Sequence, residues 1–149
     1  MSAKWLKNAI FYQIYPTSFY DSDADGIGDL RGVKEKIPYL SSLGVNAVWL
    51  NPFYRSPFLD GGYDVQDYRA VDPKFGTLQD FKELVQALHE ASIHVVIDLV
   101  IGHTALLHPW FQESAKDERN EKSDWYIWTD NSFTKYQDKS IHGDHTNWG

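Results

Sequence analysis

The sequence contains no cysteine, no cluster of basic residues and no long apolar segment. A chain without cysteine forms neither disulfides nor thiolate metal sites. The net charge of −7, from 14 basic and 21 acidic residues, repels phosphate backbones, so nucleic acid is not expected as a partner. No stretch resembles a signal peptide or reaches the length of a membrane span. We therefore expect a cytoplasmic protein that has no membrane partner.

The apolar residues that are present follow strand-like and helix-like patterns in turn. Three β-branched and aromatic runs predict strands, at residues 9–15, 45–50 and 93–101. Apolar residues at helical spacing predict one helix over residues 33–43, with its main part starting near Pro38, and a second helix behind a capping box of Thr77 and Asp80. Strands that alternate with helices favour an α/β fold with a parallel sheet.

The third predicted strand ends in polar groups. Residues 93–101 are mostly valine, isoleucine and leucine, which is typical of a parallel strand buried on both faces. Asp98 lies inside this run and His103 follows it. An acid in such a strand is costly to desolvate unless it is paired or used, and barrel enzymes keep their chemistry at the C-terminal ends of strands. The segment indicates either a functional site or a buried aspartate that caps a backbone amide.

The segment that starts at Asp21 has the acid spacing of a calcium-binding loop. Acids occupy its first, third, fifth and ninth positions, namely Asp21, Asp23, Asp25 and Asp29. The seventh residue, Ile27, would offer its backbone carbonyl. Gly32 stands in place of the usual bidentate glutamate, and no helix is predicted before the loop, which excludes a helix–loop–helix hand. We favour a bound structural Ca²⁺ over an acidic solvent loop shaped by its own turns.

A second loop carries the sequence Asp-Gly-Gly-Tyr-Asp over residues 60–64. It follows a predicted parallel strand, so it would open on the C-terminal edge of the sheet. Its glycines would let the backbone approach a ligand closely, Tyr63 could stack on a sugar ring, and Asp60 could accept hydrogen bonds from hydroxyl groups. A turn of this composition also forms without any ligand, so both interpretations stay open from these residues alone.

Two histidine pairs could be drawn as zinc ligands. They are His103 with His108 and His142 with His145. Neither pair lies on a predicted helix face with a third ligand nearby, so zinc is not expected.

Four stretches together resemble the α-amylase family of glycoside hydrolases, within it the branch of α-glucosidases, oligo-1,6-glucosidases and trehalose synthases. They are residues 11–16, the loop 21–32, Gly62–Asp64 with Asp60, and residues 98–103. Their spacing also fits the family, so the resemblance covers all 149 residues. It implies an α/β fold that is a partial (β/α)₈ TIM barrel. Residues 1–103 would hold its first three strands, and residues 104–149 would begin an inserted, loop-rich domain B.

The resemblance also implies roles for individual residues. Tyr63 would stack beneath the sugar whose bond is broken, and His103 would hydrogen-bond a hydroxyl of that sugar. Asp98 would brace the site from its strand, and Asp60 would grip the terminal glucose. The resemblance also implies a calcium ion in the loop of residues 21–29. Gly102 stands where the family usually has asparagine, so a hydrogen bond into the inserted domain is expected to be lost or remade.

The family's nucleophile and acid/base follow the fourth and fifth barrel strands, which would lie beyond Gly149. The chain alone is therefore expected to hold no catalytic residue and to be inactive. Its parent would be a retaining glycosidase that cleaves α-glucosidic bonds in malto- or isomalto-oligosaccharides.

Two alternatives remain. Residues 125–130 and 136–138 resemble the inserted domain of trehalose synthase, which indicates glucosyl transfer or isomerisation on a disaccharide. The other alternative is a non-catalytic carbohydrate-binding relative or an inactive fragment.

Overall fold

The computed structural model of the chain describes residues 4–128. In chain order its elements are a 3₁₀ turn Lys4–Asn8, β1 Phe11–Ile14, α1 Pro16–Phe19, α2 Leu30–Glu35, α3 Ile37–Ser42, β2 Ala47–Leu50, β3 Tyr54–Arg55, β4 Asp67–Val71, a 3₁₀ turn Pro73–Phe75, α4 Leu78–Glu90, β5 His94–Ile97 and α5 Pro109–Ser114. Within this described part, no helix is long and apolar enough to cross a membrane. The histidine pair His142 and His145, residues 136–138, and residues 129–149 of the predicted domain B lie outside the described residues.

The three longest apolar runs form one parallel sheet in the order β1-β2-β5. Phe11 pairs with Ala47 and Ile14 with Leu50. Leu50 pairs in turn with Ile97. The parallel α/β architecture predicted from the alternating pattern is therefore confirmed for these strands.

One face of the sheet carries the core. Its buried side chains come from the strands and from the helices and loops that cover them, and they are Ile14, Leu30, Val33, Ile37, Leu40, Val45, Val48, Leu50, Phe53, Phe75, Leu84, Leu88 and Ile93. The opposite face carries exposed Phe11 and Trp49, because successive side chains of a strand point to opposite faces. The sheet is thus packed on one side and open on the other.

The third predicted strand differs from expectation. The run 93–101 was expected to be buried on both faces, but β5 ends at Ile97 and its residues are exposed or half-buried. Among residues 4–128, β5 pairs only with β2. Within the described part it is therefore an edge strand, and Trp5 stacks on His94 at one end of its open face, with ring centroids 4.2 Å apart.

Other boundaries also differ. The single helix predicted over residues 33–43 is two helices in the structure. The first, α2, begins earlier, after its N-cap residue Asp29, and Lys36 separates it from α3. The single-turn helix α1, which was not expected, precedes the acidic loop. The long second loop contains an antiparallel ribbon of β3 and β4, and the tail forms α5 where only irregular structure was expected.

The capping box of α4 is confirmed, and it also holds an ion pair. The Thr77 amide donates to Asp80 Oδ2 at 2.7 Å, and Arg31 Nε donates to Asp80 Oδ1 at 2.7 Å. The Arg31 guanidinium, followed by the Thr77 hydroxyl, lowers the pKa of Asp80 from 3.8 to about 2. One carboxylate therefore starts α4 and ties it to α2.

Asp80→Asn is expected to lower the free energy of unfolding of the full-length protein by about 1 kcal/mol near neutral pH, as for loss of a helix cap. Because the folded pKa lies below the unfolded one, this contribution is present above about pH 4 and fades as the pH falls towards about 2. Urea unfolding at several pH values checks this, with exposed Asp117 changed to asparagine as the control. A difference from wild type that is equal at neutral and acid pH would contradict the assignment.

Candidate functional site

Polar side chains collect where the carboxyl ends of β1, β2 and β5 meet. Asn51 directly follows β2, and its amide donates to the Ile14 carbonyl at 2.9 Å. Asp98 directly follows β5, and its amide donates to the Leu50 carbonyl at 3.2 Å. These bonds continue the sheet ladder past each strand. The backbone therefore fixes the position of both residues.

Asp98 is the centre of this cluster. Its Oδ1 accepts from Trp49 Nε1 at 2.7 Å, and its Oδ2 accepts from the Tyr63 hydroxyl at 2.9 Å. Its backbone carbonyl accepts from the Tyr54 hydroxyl at 2.8 Å. The carboxylate is half-buried, and these donors compensate for its partial loss of water. Its partners are side chains rather than the backbone amide expected of a purely capping aspartate.

Tyr63 stands between two other members of the cluster. Its hydroxyl donates to Asp98 and accepts from Asn51 Nδ2 at 2.8 Å. Asn51 Oδ1 in turn accepts from Gln13 Nε2 at 3.0 Å. Burial, followed by the hydrogen bond to Asp98, raises the pKa of Tyr63, so the phenol stays protonated at neutral pH. With its proton committed to Asp98, the ring face is the part of Tyr63 that remains for contact with a ligand.

A tight turn presents Asp60 beside Tyr63. The Tyr63 amide donates to the Asp60 carbonyl at 2.9 Å, and Gly61 and Gly62 adopt φ values of 59° and 98°, which glycine accepts without strain. The Tyr15 hydroxyl donates to the Gly61 carbonyl at 2.8 Å. The Asp60 side chain is exposed at the start of this turn, so it is accessible to a ligand.

Asp64, the last residue of the motif, is buried inside the loop. Its carboxylate accepts from Ser56 Oγ at 2.8 Å and from the Leu59 amide at 2.9 Å. Asp64 therefore shapes the loop and does not face solvent.

His103 is exposed beyond the end of β5. The Tyr68 hydroxyl donates to the carbonyls of Val100 and His103, which holds this backbone. Among residues 4–128, no hydrogen bond joins the His103 imidazole to Asp60, Tyr63 or Asp98. Three of the four predicted sugar-binding residues are thus linked by direct hydrogen bonds, whereas His103 lies in the loop that follows β5.

His108 has a structural role. It is buried, and its Nδ1 accepts from the Trp110 amide at 3.1 Å, which caps α5. In the part of the chain that the structure describes, the histidines form no cluster of potential metal ligands.

The acidic loop brings three of its predicted ligands together. Asp21, Asp23 and Asp29 each offer a carboxylate oxygen, and these oxygens lie within 4.8 Å of one another. Asp25 is not in this group and accepts from the Ile27 amide at 2.7 Å. Backbone amides, the Gly26 amide foremost, lower the pKa of Asp21 and keep it charged. Hard oxygens at this spacing suit Ca²⁺, although the loop also has the turns of the alternative interpretation.

Asp29 has a structural role besides. It accepts from the Gly32 amide at 2.7 Å and from the Ser22 amide at 2.8 Å. It therefore caps α2 and closes the loop on itself.

Among the described residues, Gly102 leaves room for a larger side chain, because a Cβ built there meets none of their atoms within 4 Å. Nearby, the hydroxyls of Thr104 and Tyr126 lie 2.6 Å apart, which is one contact between the strand end and the residues that follow.

The supporting residues Gln13, Trp49 and Asn51 were not predicted. The sequence of β2 reads as a plain apolar strand with a stop at Asn51-Pro52. Only their position could have identified them, because polar side chains at the carboxyl ends of parallel strands meet at one edge of the sheet.

The chain is similar to known proteins over most of its length. The sequence profile described as "Alpha amylase, catalytic domain" matches residues 13–148. An oligo-1,6-glucosidase of Parageobacillus thermoglucosidasius is 52% identical over 128 residues, which cover 86% of this chain and 23% of that protein. The trehalose synthase/amylase TreS of Mycobacterium tuberculosis is 47% identical over 137 residues, which cover 92% and 23%.

A solved structure is similar as well. The α-glucosyl transfer enzyme XgtA superimposes with a TM-score of 0.83 at 52% identity, covering 87% of this chain and 24% of that one. The chain thus spans about a quarter of the length of these proteins.

Proposed function

The chain belongs to the α-amylase family, and on that premise we propose that it is the N-terminal part of a retaining α-glucosidase-like hydrolase. The observation that carries the proposal is the bonded set of Tyr63, Asp98 and the Asp60 turn at the carboxyl edge of a parallel sheet. In barrel enzymes this edge carries the active site. The proposed substrate is an α-glucoside, either an oligosaccharide or a disaccharide.

The residues of this chain would bind and orient the sugar. The Tyr63 ring, held by its hydroxyl, would form the floor beneath the glucose unit. The exposed Asp60 carboxylate and His103 imidazole would exchange hydrogen bonds with its hydroxyl groups. Asp98 would act indirectly, since its two oxygens already bind Trp49 and Tyr63. Two further carboxylates, a nucleophile and an acid/base, would supply the chemistry of retention.

The full-length protein tests this proposal. Incubated with maltose or isomaltose, it is expected to release glucose. Absence of turnover on both sugars and on longer α-glucosides would reject hydrolysis.

A second candidate is glucosyl transfer or isomerisation. It is supported by the similarity to TreS and to the transfer enzyme XgtA. The same sugar-binding residues would serve either reaction, because both begin by holding the same glucose unit. Product analysis on maltose separates them, since trehalose or a longer glucoside would accumulate in place of glucose.

A non-catalytic carbohydrate-binding relative is the third candidate. Calorimetric titration of the full-length protein with maltose would detect such a protein as one that binds the sugar without turning it over.

A cytoplasmic location, and the absence of nucleic acid or membrane partners, stay predictions from the sequence.

We also propose that the acidic loop binds a structural Ca²⁺. The convergent oxygens of Asp21, Asp23 and Asp29 support this, and the ion would hold the loop that connects α1 to α2. The Ile27 carbonyl would complete the set as predicted from the sequence, and Asp25 would join it by releasing the Ile27 amide that its carboxylate now binds. The ion would have no direct part in the chemistry.

Removal of Ca²⁺ by a chelator is expected to lower the melting temperature of the full-length protein. A ligand present at a hundred times its dissociation constant stabilises the folded state by about 2.7 kcal/mol. Asp21→Asn should abolish the response to added Ca²⁺, whereas Asp117→Asn, which lies outside the loop, should keep it. Identical melting of the wild type in chelator and in Ca²⁺ would contradict a bound ion.

A further inference from the structure

We propose that Asn51 and Gln13 are positioning residues that fix the direction of the Tyr63 hydroxyl and thereby the ring beneath the sugar. The inference rests on the proposed function of Tyr63 and extends it to two residues that do not reach the substrate. It starts from an uninterrupted series of hydrogen bonds across the sheet edge, from Gln13 to Asn51, Tyr63 and Asp98.

The chemistry of Asp98 dictates the direction of this series. An ionised carboxylate only accepts hydrogen bonds, so the Tyr63 hydroxyl must donate to it. The Tyr63 oxygen can then only accept from its other neighbour, which requires the amide nitrogen of Asn51. The Asn51 oxygen consequently faces Gln13 and requires a donor there. Each group has one orientation that satisfies both of its neighbours.

The series also joins three strands of the sheet and one turn. Gln13 lies in β1, Asn51 follows β2, and Asp98 follows β5, while Tyr63 comes from the glycine-containing turn. Asn51 is only 7% exposed, so an unmatched polar atom there is costly. A loop residue is thus held in register with the rigid sheet by two amides. This arrangement limits how far the Tyr63 ring can rotate or withdraw.

Asn51→Asp tests the direction of the series with almost no change of shape. The new carboxylate still accepts from Gln13, but it cannot donate to Tyr63. It also competes with Asp98 for the Tyr63 proton. For the full-length enzyme we expect kcat/KM on a hydrolysed α-glucoside to fall about tenfold, the equivalent of one hydrogen bond.

Gln13→Glu should act through Asn51. A glutamate cannot donate to the Asn51 oxygen, so the amide is expected to turn and present that oxygen to Tyr63. The fall in kcat/KM should resemble that of Asn51→Asp. In a variant that already carries Asn51→Leu, Gln13→Glu should cause no further fall in kcat/KM.

Asn46→Asp is the matched control. Asn46 lies at the opposite end of the sheet, where it accepts from the Ile10 amide at 2.8 Å and donates to the Asn8 carbonyl at 3.0 Å. Its replacement removes a structural bond of the same kind without touching Tyr63. We expect a lower melting temperature with unchanged kinetic constants.

A double-mutant cycle separates positioning from general damage. Once Tyr63→Phe has removed the hydroxyl, Asn51→Asp should cause no further fall in kcat/KM, because the hydrogen bond between Asn51 and the hydroxyl is already absent. Losses that multiply in the double variant, or a wild-type kcat/KM in Asn51→Asp, would overturn the inference.

Crystal structures of the full-length wild type and Asn51→Asp give a readout independent of activity. The Tyr63 hydroxyl is expected to move from 2.9 Å to beyond about 3.5 Å from Asp98 Oδ2, outside hydrogen-bond distance. An unchanged distance would reject the inference even if the protein hydrolyses α-glucosides. Inactivity of the wild type would instead reject the proposed function, and the distance would still decide the role of Asn51.

Discussion

Replacement of Tyr63 by alanine is expected to lower kcat/KM of the full-length enzyme on an α-glucoside by about a hundredfold, or about 2.7 kcal/mol of transition-state stabilisation. The change removes the ring on which the sugar would rest. It also leaves Asp98 Oδ2 and Asn51 Nδ2 without the partner that each now has, and unsatisfied polar groups in a half-buried site are costly. Steady-state kinetics on purified, folded variants measures the effect.

Two variants separate the contributions of Tyr63. Tyr63→Phe keeps the ring and loses only the hydroxyl, so a smaller loss of about tenfold is expected. Tyr39→Ala removes a ring of the same size that is 48% exposed on α3, and it should leave the kinetics unchanged. Full activity in Tyr63→Ala would show that the sugar does not rest on this side chain.

Gly32→Ala is expected to have the largest effect on stability. A Cβ at Gly32 would lie 2.0 Å from the backbone carbonyl oxygen of Tyr20, and neither backbone can yield without moving α2 away from the segment that precedes the acidic loop. Overpacking of this kind costs about 3 kcal/mol. The melting temperature of the full-length protein should fall clearly, and the loop should respond less to Ca²⁺.

Gly102→Ala is the control for this substitution. A Cβ there meets no atom of residues 4–128 within 4 Å, so the melting temperature should stay at the wild-type value. Equal stability of Gly32→Ala and Gly102→Ala would mean that the close approach of Tyr20 to α2 does not exist in the protein.

The sequence pattern was sufficient for the parts of the fold that rest on local preferences. The capping box of Thr77 and Asp80 and the apolar runs of β1 and β2 depend on nearby residues, and the structure has each of them. The burial of β5 was misjudged because it depends on neighbouring strands that the residues 4–128 do not provide. The ribbon of β3 and β4 was missed because its pairing joins residues separated by a long loop.

The candidate site shows the same division. Tyr63 and Asp98 were identified from motifs, and the structure joins them by a hydrogen bond. Gln13 and Asn51 carry no motif, and their role arises only when β1 and β2 lie side by side. Asp25 has the right spacing in the acidic loop, yet its carboxylate turns to the Ile27 amide, a local choice that residue spacing does not determine.

The most direct test of this account is a crystal structure of the full-length protein with glucose or maltose bound. We predict that the terminal glucose lies on the face of the Tyr63 ring, with its hydroxyl groups within hydrogen-bond distance of Asp60 and His103. The Tyr63 hydroxyl should still bind Asp98. A glucose bound elsewhere, with the Tyr63 ring uncovered, would contradict the claim that this chain carries the sugar-binding part of the active site.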